Sequence, residues 1–451
     1  RNGSAKWPEY YSDSFGAVVN VGPGSPTGVT FGTGAKFPAK YQKAFFACDW
    51  SYGKLYAVHL KPNGSTYTGE VEEFIAGQPF PLTDLCISKR DGAMYIAVGG
   101  RKVQSGIYRV TYTGTKSTAP AKPRIEGAKE RAERHAIAKH HLKSDASVID
   151  KFWNHLGSAD RALRFTARTA IEKVPVENWA GKVLREKNTF AQLGGLISLA
   201  RLGGKEHQAP VIKALLALDY AKLKPQERYD LLRAYGLAFL RLGAPDAKQK
   251  AAVIAQLDSH YPSDLAFENI ELSNVLGYLQ TPDMITRSVE LITNAPTQEE
   301  QIAIAKNIRF VKKGWTNDSE KKLFIWFSRA ASYKGGASFK NFINEIKKDH
   351  LARLSAKRKK ALASIIDAKP VTKNPLSSNR QLKFVKNWQM KDLTPLLGSG
   401  LEGNRNFKNG REMFATATCY ACHRFNQEGG GIGPDLTSAG GKFSPHDLLE
   451  S

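Results

Sequence analysis

The chain has 451 residues, of which 41% are hydrophobic and 10% aromatic, which is enough material for about three domains of ordinary size. Its four cysteines are too few for a disulfide framework, and the sequence contains no apolar run of the roughly 18 residues that a membrane-spanning helix needs. The formal charge of +24 indicates either an anionic partner or a basic, solvated surface.

The positive charge is concentrated in the middle of the chain. Residues 1–118 have a net charge of +5 and residues 401–451 a net charge of −1, whereas residues 119–400 carry 48 Lys and Arg against 28 Asp and Glu. Such a region suits an anionic polysaccharide or an acidic protein surface, and the competing interpretation is a solvated helical surface. The densest run, residues 357–360, has no nucleic-acid-binding signature around it, so no nucleic acid is predicted as a partner.

The first third of the chain has the pattern of short β-strands. Five strands are predicted, at residues 45–50, 55–60, 84–88, 93–98 and 106–112. The pair Asp91-Gly92 is a strong hairpin signal, and no helical pattern intervenes between the strands. We therefore predict the C-terminal blades of a β-propeller over residues 1–115, with the earlier blades expected upstream.

The stretch from Phe37-Pro38 through residues 49–53 to residues 91–95 resembles the last blades of glucose/sorbosone dehydrogenase-type propellers. The resemblance implies a dehydrogenase acting on sugars or alcohols, with room for a quinone cofactor such as PQQ in the longer protein. Its catalytic residues would lie mostly in blades outside this sequence, so no catalytic residue is assigned. His59 is expected to be structural, while Asp49 and Trp50 either line the propeller mouth or pack in a turn.

A linker at residues 116–124 separates the strands from a helical region. Leu-Gly pairs begin at residues 156, 202, 242 and 276, with steps of 46, 40 and 34 residues, close to the period of paired-helix solenoids. We predict a degenerate HEAT/armadillo-like α-helical array over residues 125–395. The competing interpretation is a compact helical domain. The histidines of this region are scattered and lack the spacing of a helical metal site.

Residues 419–423, Cys-Tyr-Ala-Cys-His, form a CxxCH sequence, the attachment signature of a c-type haem. Cys419 and Cys422 would each form a thioether to a haem vinyl group, and His423 would be an axial ligand of the haem iron. The competing interpretations are a chance match, a redox-active CxxC and half of a zinc site. A redox dithiol needs a βαβ setting, and Cys48 and Cys86 do not form a second ligand pair, so haem c is favoured.

The flanks of the CxxCH motif resemble class I cytochromes c. Gly410 and Phe414 precede the motif at helical spacing, and a glycine-rich loop ending in Pro434-Asp435-Leu436 follows it. The resemblance implies that the carbonyl of Pro434 accepts a hydrogen bond from the ring of His423 and so orients it. Residues 403–451 are therefore predicted to be the N-terminal part of a cytochrome c domain.

The order of partial propeller, helical array and CxxCH motif resembles a family of multidomain cytochromes, the haem-binding, "membrane-bound dehydrogenase"-type proteins of planctomycetes and verrucomicrobia. Residues 314–316 and 335–339 also look like positions of that family. The resemblance implies that the haem domain continues beyond Ser451 and takes its distal methionine there, because none of the four methionines follows His423. His446 is expected to be an ordinary residue near a helix start.

These features predict a periplasmic or otherwise extracytoplasmic electron-transfer protein, since bacterial haem attachment of this type occurs outside the cytoplasm. By resemblance, the haem would pass electrons from a propeller-type dehydrogenase to a redox partner protein or the quinone pool. The alternative is a non-catalytic binding scaffold of propeller and solenoid, with the haem as a relay or sensor.

Overall fold

The structure is a computed structural model. It describes residues 8–22, 24–100, 103–333, 339–368, 384–397, 405–426, 428–430 and 433–450. The chain divides into two compact units. The first comprises Arg1–Ala17, Gly64–Thr66 and Gly127–Val371, and the second comprises Val18–Asn63, Tyr67–Glu126 and Thr372–Ser451. Of the positions singled out in the sequence, residues 335–338 and 431–432 lie outside the described residues.

The N-terminal part of the second unit forms a four-stranded and a three-stranded β-sheet. Their strands are β1 (Pro26–Phe31), β2 (Phe45–Asp49), β3 (Lys54–Asn63), β4 (Thr66–Ala76), β5 (Leu82–Ile87), β6 (Met94–Gly100) and β7 (Val103–Val110), with a short helix α1 (Ala39–Gln42) before β2. The first sheet has the order β1-β2-β3-β4 and the second the order β5-β6-β7. Neighbours in each sheet are thus neighbours in the chain, which is the meander that the tight turns predict.

The core of this unit follows from the alternation of side chains along the strands. Phe46 and Cys48 of β2, Leu55 of β3, and Met94 and Ile96 of β6 are all at most 1% exposed and belong to one hydrophobic cluster. Successive side chains of a strand point to opposite faces, so each sheet buries one face.

All five predicted strands are present, while β1 and β4 were not predicted. Strand β4 carries Gly69, Glu70, Glu72 and Glu73 and has no buried residue between Thr66 and Ala76, so it lacks the apolar alternation that marks a strand in sequence. The sequence signal is therefore weakest in strands whose side chains face solvent. The two sheets agree with a meander of blades, and the closed propeller stays a prediction.

The first unit is helical. Its α-helices are α2 (Ala128–Ala138), α3 (Ser147–Phe152), α4 (Arg161–Ile171), α5 (Ala180–Arg185), α6 (Thr189–Leu202), α7 (Gln208–Leu216), α8 (Pro225–Arg241), α9 (Ala247–Leu257), α10 (Ala266–Tyr278), α11 (Met284–Asn294), α12 (Gln298–Ile308), α13 (Asn317–Ala330), α14 (Phe339–Arg353), α15 (Ala356–Ala361) and α16 (Ala363–Ile366). Short 3₁₀ helices connect them at Lys139–His141, Trp153–Gly157, Val176–Asn178, Lys205–His207, Tyr220–Lys222 and Asp258–His260.

Local sequence explains where several of these helices begin. The Asp160 carboxylate accepts hydrogen bonds from the backbone N–H groups of Ala162 and Leu163 at the start of α4. Thr297 caps α12, Ser355 caps α15, and Pro225 is the first residue of α8. Such residues satisfy or remove N–H groups that a helix start leaves unpaired.

The helices contact one another in two rows. In one row α4, α6, α8, α10, α12 and α14 contact in that order, and in the other α5 contacts α7, α7 contacts α9, and α11 contacts α13. One continuous cluster of buried side chains joins the rows. Contacts between alternate helices are those of stacked helix pairs, so the arrangement agrees with the predicted array, while a HEAT/armadillo-type fold stays a prediction.

The Leu-Gly repeat has mixed structural origins. Gly203 follows α6 directly and Gly243 lies just beyond α8, whereas Gly277 lies inside α10. A Cβ atom on Gly277 would lie 3.0 Å from the carbonyl oxygen of Asn307 in α12. Gly277 therefore allows two helices of the same row to approach closely, rather than ending a helix.

Residues 8–17 group with the helices, although the sequence places them in the predicted propeller region. The hydroxyls of Tyr10 and Tyr11 both donate to Glu271 Oε1, at 2.7 and 2.8 Å. Ser12 donates to Asp230 and Asp13 pairs with Arg233. The polar side chains of this segment find their partners on α8 and α10, and neither partner is near it in the sequence.

The C-terminal part of the second unit contains short elements. They are α17 (Met390–Leu393), a 3₁₀ helix (Thr394–Leu396), α18 (Phe407–Thr416), α19 (Cys419–Cys422), β8 (Arg424–Phe425), β9 (Glu428–Gly429), α20 (Ala439–Lys442) and α21 (Pro445–Glu450). Strands β8 and β9 pair antiparallel. The helical array was predicted to extend to residue 395, and of this region residues 384–395 group with the second unit.

Candidate functional site

The two cysteines of the CxxCH motif lie on a single helical turn. The backbone N–H of His423 donates to the carbonyl of Cys419 at 2.9 Å, which closes this turn. Thr418 has a left-handed conformation with φ 59°, and it redirects the chain between α18 and α19. A β-branched residue rarely adopts this conformation, so the surrounding contacts hold the turn in place.

Both thiols are accessible for reaction. Cys419 is partly exposed and Cys422 is exposed, and neither forms a disulfide. Because the two residues are three positions apart on α19, their side chains project from neighbouring points of one helical turn. This arrangement suits two bonds to one planar group.

The imidazole of His423 is oriented by a backbone carbonyl. Its Nδ1 atom lies 3.0 Å from the carbonyl oxygen of Pro434. A carbonyl oxygen can only accept a hydrogen bond, so Nδ1 carries a proton, and in the neutral form of the ring the lone pair is then on Nε2. The side chain is half-buried. In that form the ring can bind a metal through Nε2.

Glycines allow the following loop to lie directly against the motif. A Cβ atom on Gly429, whose φ is +106°, would lie 2.2 Å from the carbonyl oxygen of His423, and one on Gly430 would lie 2.2 Å from that of Ala421. At Gly433 an added Cβ would lie 2.7 Å from Cε1 and 2.8 Å from Nδ1 of His423. These three positions admit no side chain unless the loop or the histidine moves.

Backbone hydrogen bonds fix the loop on the motif. Gly433 donates to the carbonyl of Cys422 at 2.8 Å, Gly430 donates to Tyr420 at 2.6 Å, and Leu436 donates to Arg424 at 2.8 Å. These bonds position the Pro434 carbonyl beside the histidine ring. The orientation of His423 therefore depends on main-chain geometry on both sides.

Helix α18 borders an apolar groove. Gly410, Phe414 and Phe425 are among the residues that line a cavity of 510 Å³, and the rings of Phe414 and Phe425 lie 6.5 Å apart. Phe407 is 78% exposed at the same groove. Gly410 and Phe414, which the sequence places on a helix before the motif, therefore share one face of α18.

The zinc interpretation gains no support from the rest of the chain. Cys48 is buried in the sheet core, where burial raises the pKa of its thiol to about 12, and this disfavours the thiolate that binds metals. Within the described ranges, the group with metal-ligating composition is His446, Asp447 and Glu450 on α21, which contains no cysteine. His446 lies in the first turn of that helix.

The remaining residues singled out in the sheets have structural surroundings. Asp49 is buried, and its Oδ1 accepts hydrogen bonds from the backbone N–H groups of Ser25 and Ser51, both at 2.9 Å. Trp50 Nε1 donates to the carbonyl of Gly99, and His59 Nε2 lies 2.6 Å from Glu72 Oε2. The contacts of Asp49 agree with a role in packing a turn.

Residues 407–450 match the cytochrome c family. The match begins at the first residue of α18 and includes Cys419, Cys422, His423 and Pro434. The chain therefore has a C-terminal cytochrome c domain, and the prediction of this domain is confirmed. The domain supports haem c as the cofactor and a haem-based electron-transfer role. No curated protein and no solved structure matches the chain.

The residues at the site fit covalently bound haem. Two accessible thiols lie on one helical turn, and the Nε2 atom of the neutral histidine has a free lone pair. The absence of a side chain at Gly433 leaves space for the histidine ring. These are the donors that c-type attachment and axial ligation require. Sequence reasoning named Cys419, Cys422, His423 and Pro434, but the contacts of Gly429, Gly430 and Gly433 with the motif appear only in the structure.

None of the helices in the described part of the chain is long and apolar enough to cross a membrane. This agrees with the hydropathy of the sequence. Cytochrome c domains are typically extracytoplasmic, which is consistent with the predicted location.

Proposed function

We propose that this chain is an extracytoplasmic c-type haem protein that carries out electron transfer. Cys419 and Cys422 would hold the haem covalently, and His423 would bind its iron through Nε2. Pro434 would hold the proton on Nδ1 and keep the ring in one orientation. The hydrogen bond between His423 Nδ1 and the Pro434 carbonyl, beside two thiols on one helical turn, is the observation that carries the proposal.

Each residue contributes to redox function in a distinct way. Bound haem supplies one-electron chemistry, and the chain sets the conditions for it. The hydrogen bond from Nδ1–H to Pro434 raises the basicity of Nε2. Two covalent anchors on α19 limit movement of the cofactor, and the loop carrying Gly429, Gly430 and Gly433 limits movement of the histidine.

The attachment can be tested in a host that matures c-type cytochromes. We expect the purified protein to give a pyridine haemochrome spectrum of thioether-bound haem, and the double variant Cys419→Ala/Cys422→Ala to lose all covalent haem. Cys86→Ser is the matched control, because Cys86 is an exposed thiol outside the motif. Stoichiometric zinc in place of haem, or covalent haem in the double variant, would refute the proposal.

The axial position of His423 has a separate test. We expect His423→Gly protein with attached haem to recover its absorption spectrum when imidazole is added, because free imidazole replaces the missing side chain. His446→Gly should leave the spectrum unchanged, because we expect His446 to be an ordinary residue near a helix start. A spectrum that changes with His446→Gly and not with His423→Gly would assign the ligand to α21.

We further propose that the haem domain is the redox module of a propeller-type dehydrogenase acting on sugars or alcohols. The meander of β1 to β7 supports this, together with the resemblance of residues 37–95 to dehydrogenase blades. Electrons would pass to a redox partner protein or the quinone pool. A quinone cofactor such as PQQ belongs to the same proposal, and no described residue is assigned to it. A dye-linked dehydrogenase assay with sugars and alcohols, with and without added quinone, tests both the dehydrogenase activity and the need for a quinone.

The second candidate is a binding scaffold with the haem as a relay or sensor. It is supported by the two-row helix arrangement and by the net charge of +20 between residues 119 and 400, since stacked helix pairs commonly present binding surfaces. Salt-sensitive binding of an acidic glycan by a protein without turnover over a broad substrate panel would favour this candidate. Quinone-dependent turnover would exclude it as the whole function.

A further inference from the structure

A cleft of 710 Å³ lies in the second unit, between the β1–β4 sheet and the extended segment of residues 118–124. The side chains of Phe31, Leu60 and Tyr67 and the rings of Pro120 and Pro123 line it. The volume falls within the range of about 300–1,000 Å³ that is common for small-molecule sites. The cleft shares no residue with the CxxCH site, so an inference about it does not depend on haem.

A buried glutamine fixes one wall of the cleft. Gln42 is 7% exposed, and its Nε2 atom donates to the carbonyls of Thr118 at 3.2 Å and Ala119 at 2.9 Å. Its Oε1 accepts from the N–H of Ala121 at 2.9 Å. The segment predicted as a simple linker is thus bonded to the sheet unit through one side chain, and the cleft is formed before any ligand binds.

Four cationic side chains line the cleft, namely those of Lys36, Lys43, Lys122 and Arg124, and among the described residues lining it none is acidic. In the part of the chain that the structure describes, none of the four has an ion-pair partner. They come from three stretches of the chain: the loop after β1, the turn before β2 and the segment at residues 118–124. Positive charge from three separate stretches of the chain therefore lines one cleft.

Neighbouring lysines of α1 and β3 form ion pairs. Lys40 lies 2.6 Å from Glu72, Lys54 lies 2.5 Å from Glu73, and Lys61 pairs with Glu70. The carboxylates of β4 therefore form their ion pairs with lysines outside the cleft. Like charges gathered without a counter-charge repel one another and attract anions. Among the described residues, the four cations that line the cleft therefore have no β4 carboxylate to offset their charge.

We propose that this cleft binds an organic polyanion with a ring-shaped body, of the acidic-sugar type, carrying two or more carboxylate or sulfate groups. Lys43 and Arg124, which come from separate stretches of the chain, would contact its charged groups. Tyr67, Leu60 and the proline rings offer the apolar surface on which the ring lies. Arg124 provides a planar fork that matches carboxylate or sulfate geometry.

The test is calorimetric titration of the 451-residue chain with tri-galacturonic acid at low salt. We expect the double variant Lys43→Ala/Arg124→Ala to bind about tenfold more weakly. The matched control Lys54→Ala/Lys61→Ala removes the same charge from the same sheet outside the cleft and should change the affinity less than about twofold. Maltotriose, a neutral trisaccharide, should not bind measurably.

Equal losses in the two double variants would overturn the proposal, because only net charge would then matter. Binding of maltotriose as tight as that of the acidic trisaccharide would overturn it as well. Inorganic phosphate binding as tightly as tri-galacturonic acid would show that no ring is recognised. If the cleft variant fails to fold by circular dichroism, Lys122→Ala on the exposed segment replaces it, with an expected loss of about threefold.

Discussion

At the residue scale, the environment of His423 shows how main-chain contacts prepare a ligand. The Pro434 carbonyl accepts a hydrogen bond from Nδ1 of the ring, and the absence of a side chain at Gly433 leaves space for the ring. Neither contact depends on a titratable neighbour. The orientation should therefore be insensitive to charge changes nearby and sensitive to added volume.

Gly433→Ala tests this sensitivity. The added methyl group would lie 2.7 Å from the histidine ring, so the ring must move and its hydrogen bond to Pro434 weakens. We expect imidazole to displace the histidine from the haem iron about tenfold more easily, the usual range for loss of such a partner being 10–100-fold. Spectrophotometric imidazole titration measures this.

The matched control is Gly440→Ala, where the nearest atom to an added Cβ would be 3.6 Å away. This variant should titrate like the parent protein. If Gly433→Ala and Gly440→Ala gave the same imidazole affinity as the parent, the close approach of the loop to the histidine would have no functional consequence.

His350 predicts a pH dependence of stability. The side chain is completely buried, with Nε2 at 2.9 Å from the carbonyl of Ala305, and loss of hydration lowers its pKa from 6.5 to about 3. Between these values the unfolded chain binds the proton and the folded chain does not, so stability falls as pH decreases from about 6.5 toward 3. The slope is about 1.4 kcal/mol per pH unit.

His350→Gln keeps a donor for Ala305 and removes the titration. We expect urea unfolding to show that this variant, although less stable at pH 7, loses less free energy of unfolding between pH 6.5 and 4 than the parent. His135→Gln, at an exposed histidine of α2, should leave the parent pH dependence unchanged. Parallel pH curves for parent and His350→Gln would contradict the assignment.

At the element scale, the close packing of helix pairs restricts side-chain volume. Helix α6 carries two adjacent glycines with opposite surroundings. A Cβ on Gly195 would lie 2.7 Å from Cγ2 of Val183 in α5, whereas a Cβ on Gly194 would meet no atom within 4 Å. Packing against α5 therefore requires glycine at position 195, whereas position 194 has space for a side chain.

This pair supplies its own control. Gly194→Ala should raise the free energy of unfolding by about 0.5–1 kcal/mol, because alanine reduces the freedom of the unfolded chain and favours the helix. Gly195→Ala should lower it by about 1–3 kcal/mol, because the added methyl group forces α5 and α6 apart. Chemical denaturation measures both, and destabilisation of equal size in the two variants would contradict the packing described.

At the scale of the whole chain, the segment at residues 8–17 links the start of the sequence to distant helices. Asp13, whose side chain is 6% exposed, pairs with Arg233 at 2.8 Å and Arg201 at 3.3 Å. These partners are on α8 and α6. The ion pairs fix the segment across helices that do not adjoin it in sequence.

Asp13→Ala should therefore be strongly destabilising. Removing the carboxylate leaves Arg233 largely buried without its charged partner, and losses of about 3–5 kcal/mol are usual for such pairs. Asp150→Ala is the control, because Asp150 pairs with Lys182 on the surface and is 90% exposed. We expect a change below about 1 kcal/mol there. Similar losses in both variants by thermal or urea unfolding would rule out a special role for the segment.

Prediction from sequence succeeded where a pattern is local. The turn at Asp91-Gly92 and the five predicted strands are each determined by neighbours in the chain, and all lie where expected. Residues 8–17 group with the helical unit and residues 384–395 with the other unit, whereas the sequence places them in the propeller region and in the helical array, respectively. Their grouping depends on partners more than a hundred residues away or on short elements with weak periodicity.

The sequence by itself determined the cytochrome c domain, because haem attachment requires two thiols and a histidine at fixed spacing within five residues. It also determined the order of strands, helices and CxxCH motif, because side-chain periodicity is local. Only the tertiary structure decided which glycines contact the histidine, how Gln42 forms a cationic cleft and how Asp13 joins α6 to α8. Those contacts are made between residues that do not adjoin in sequence, and their free energy depends on interatomic distances and burial, which a local sequence pattern does not contain.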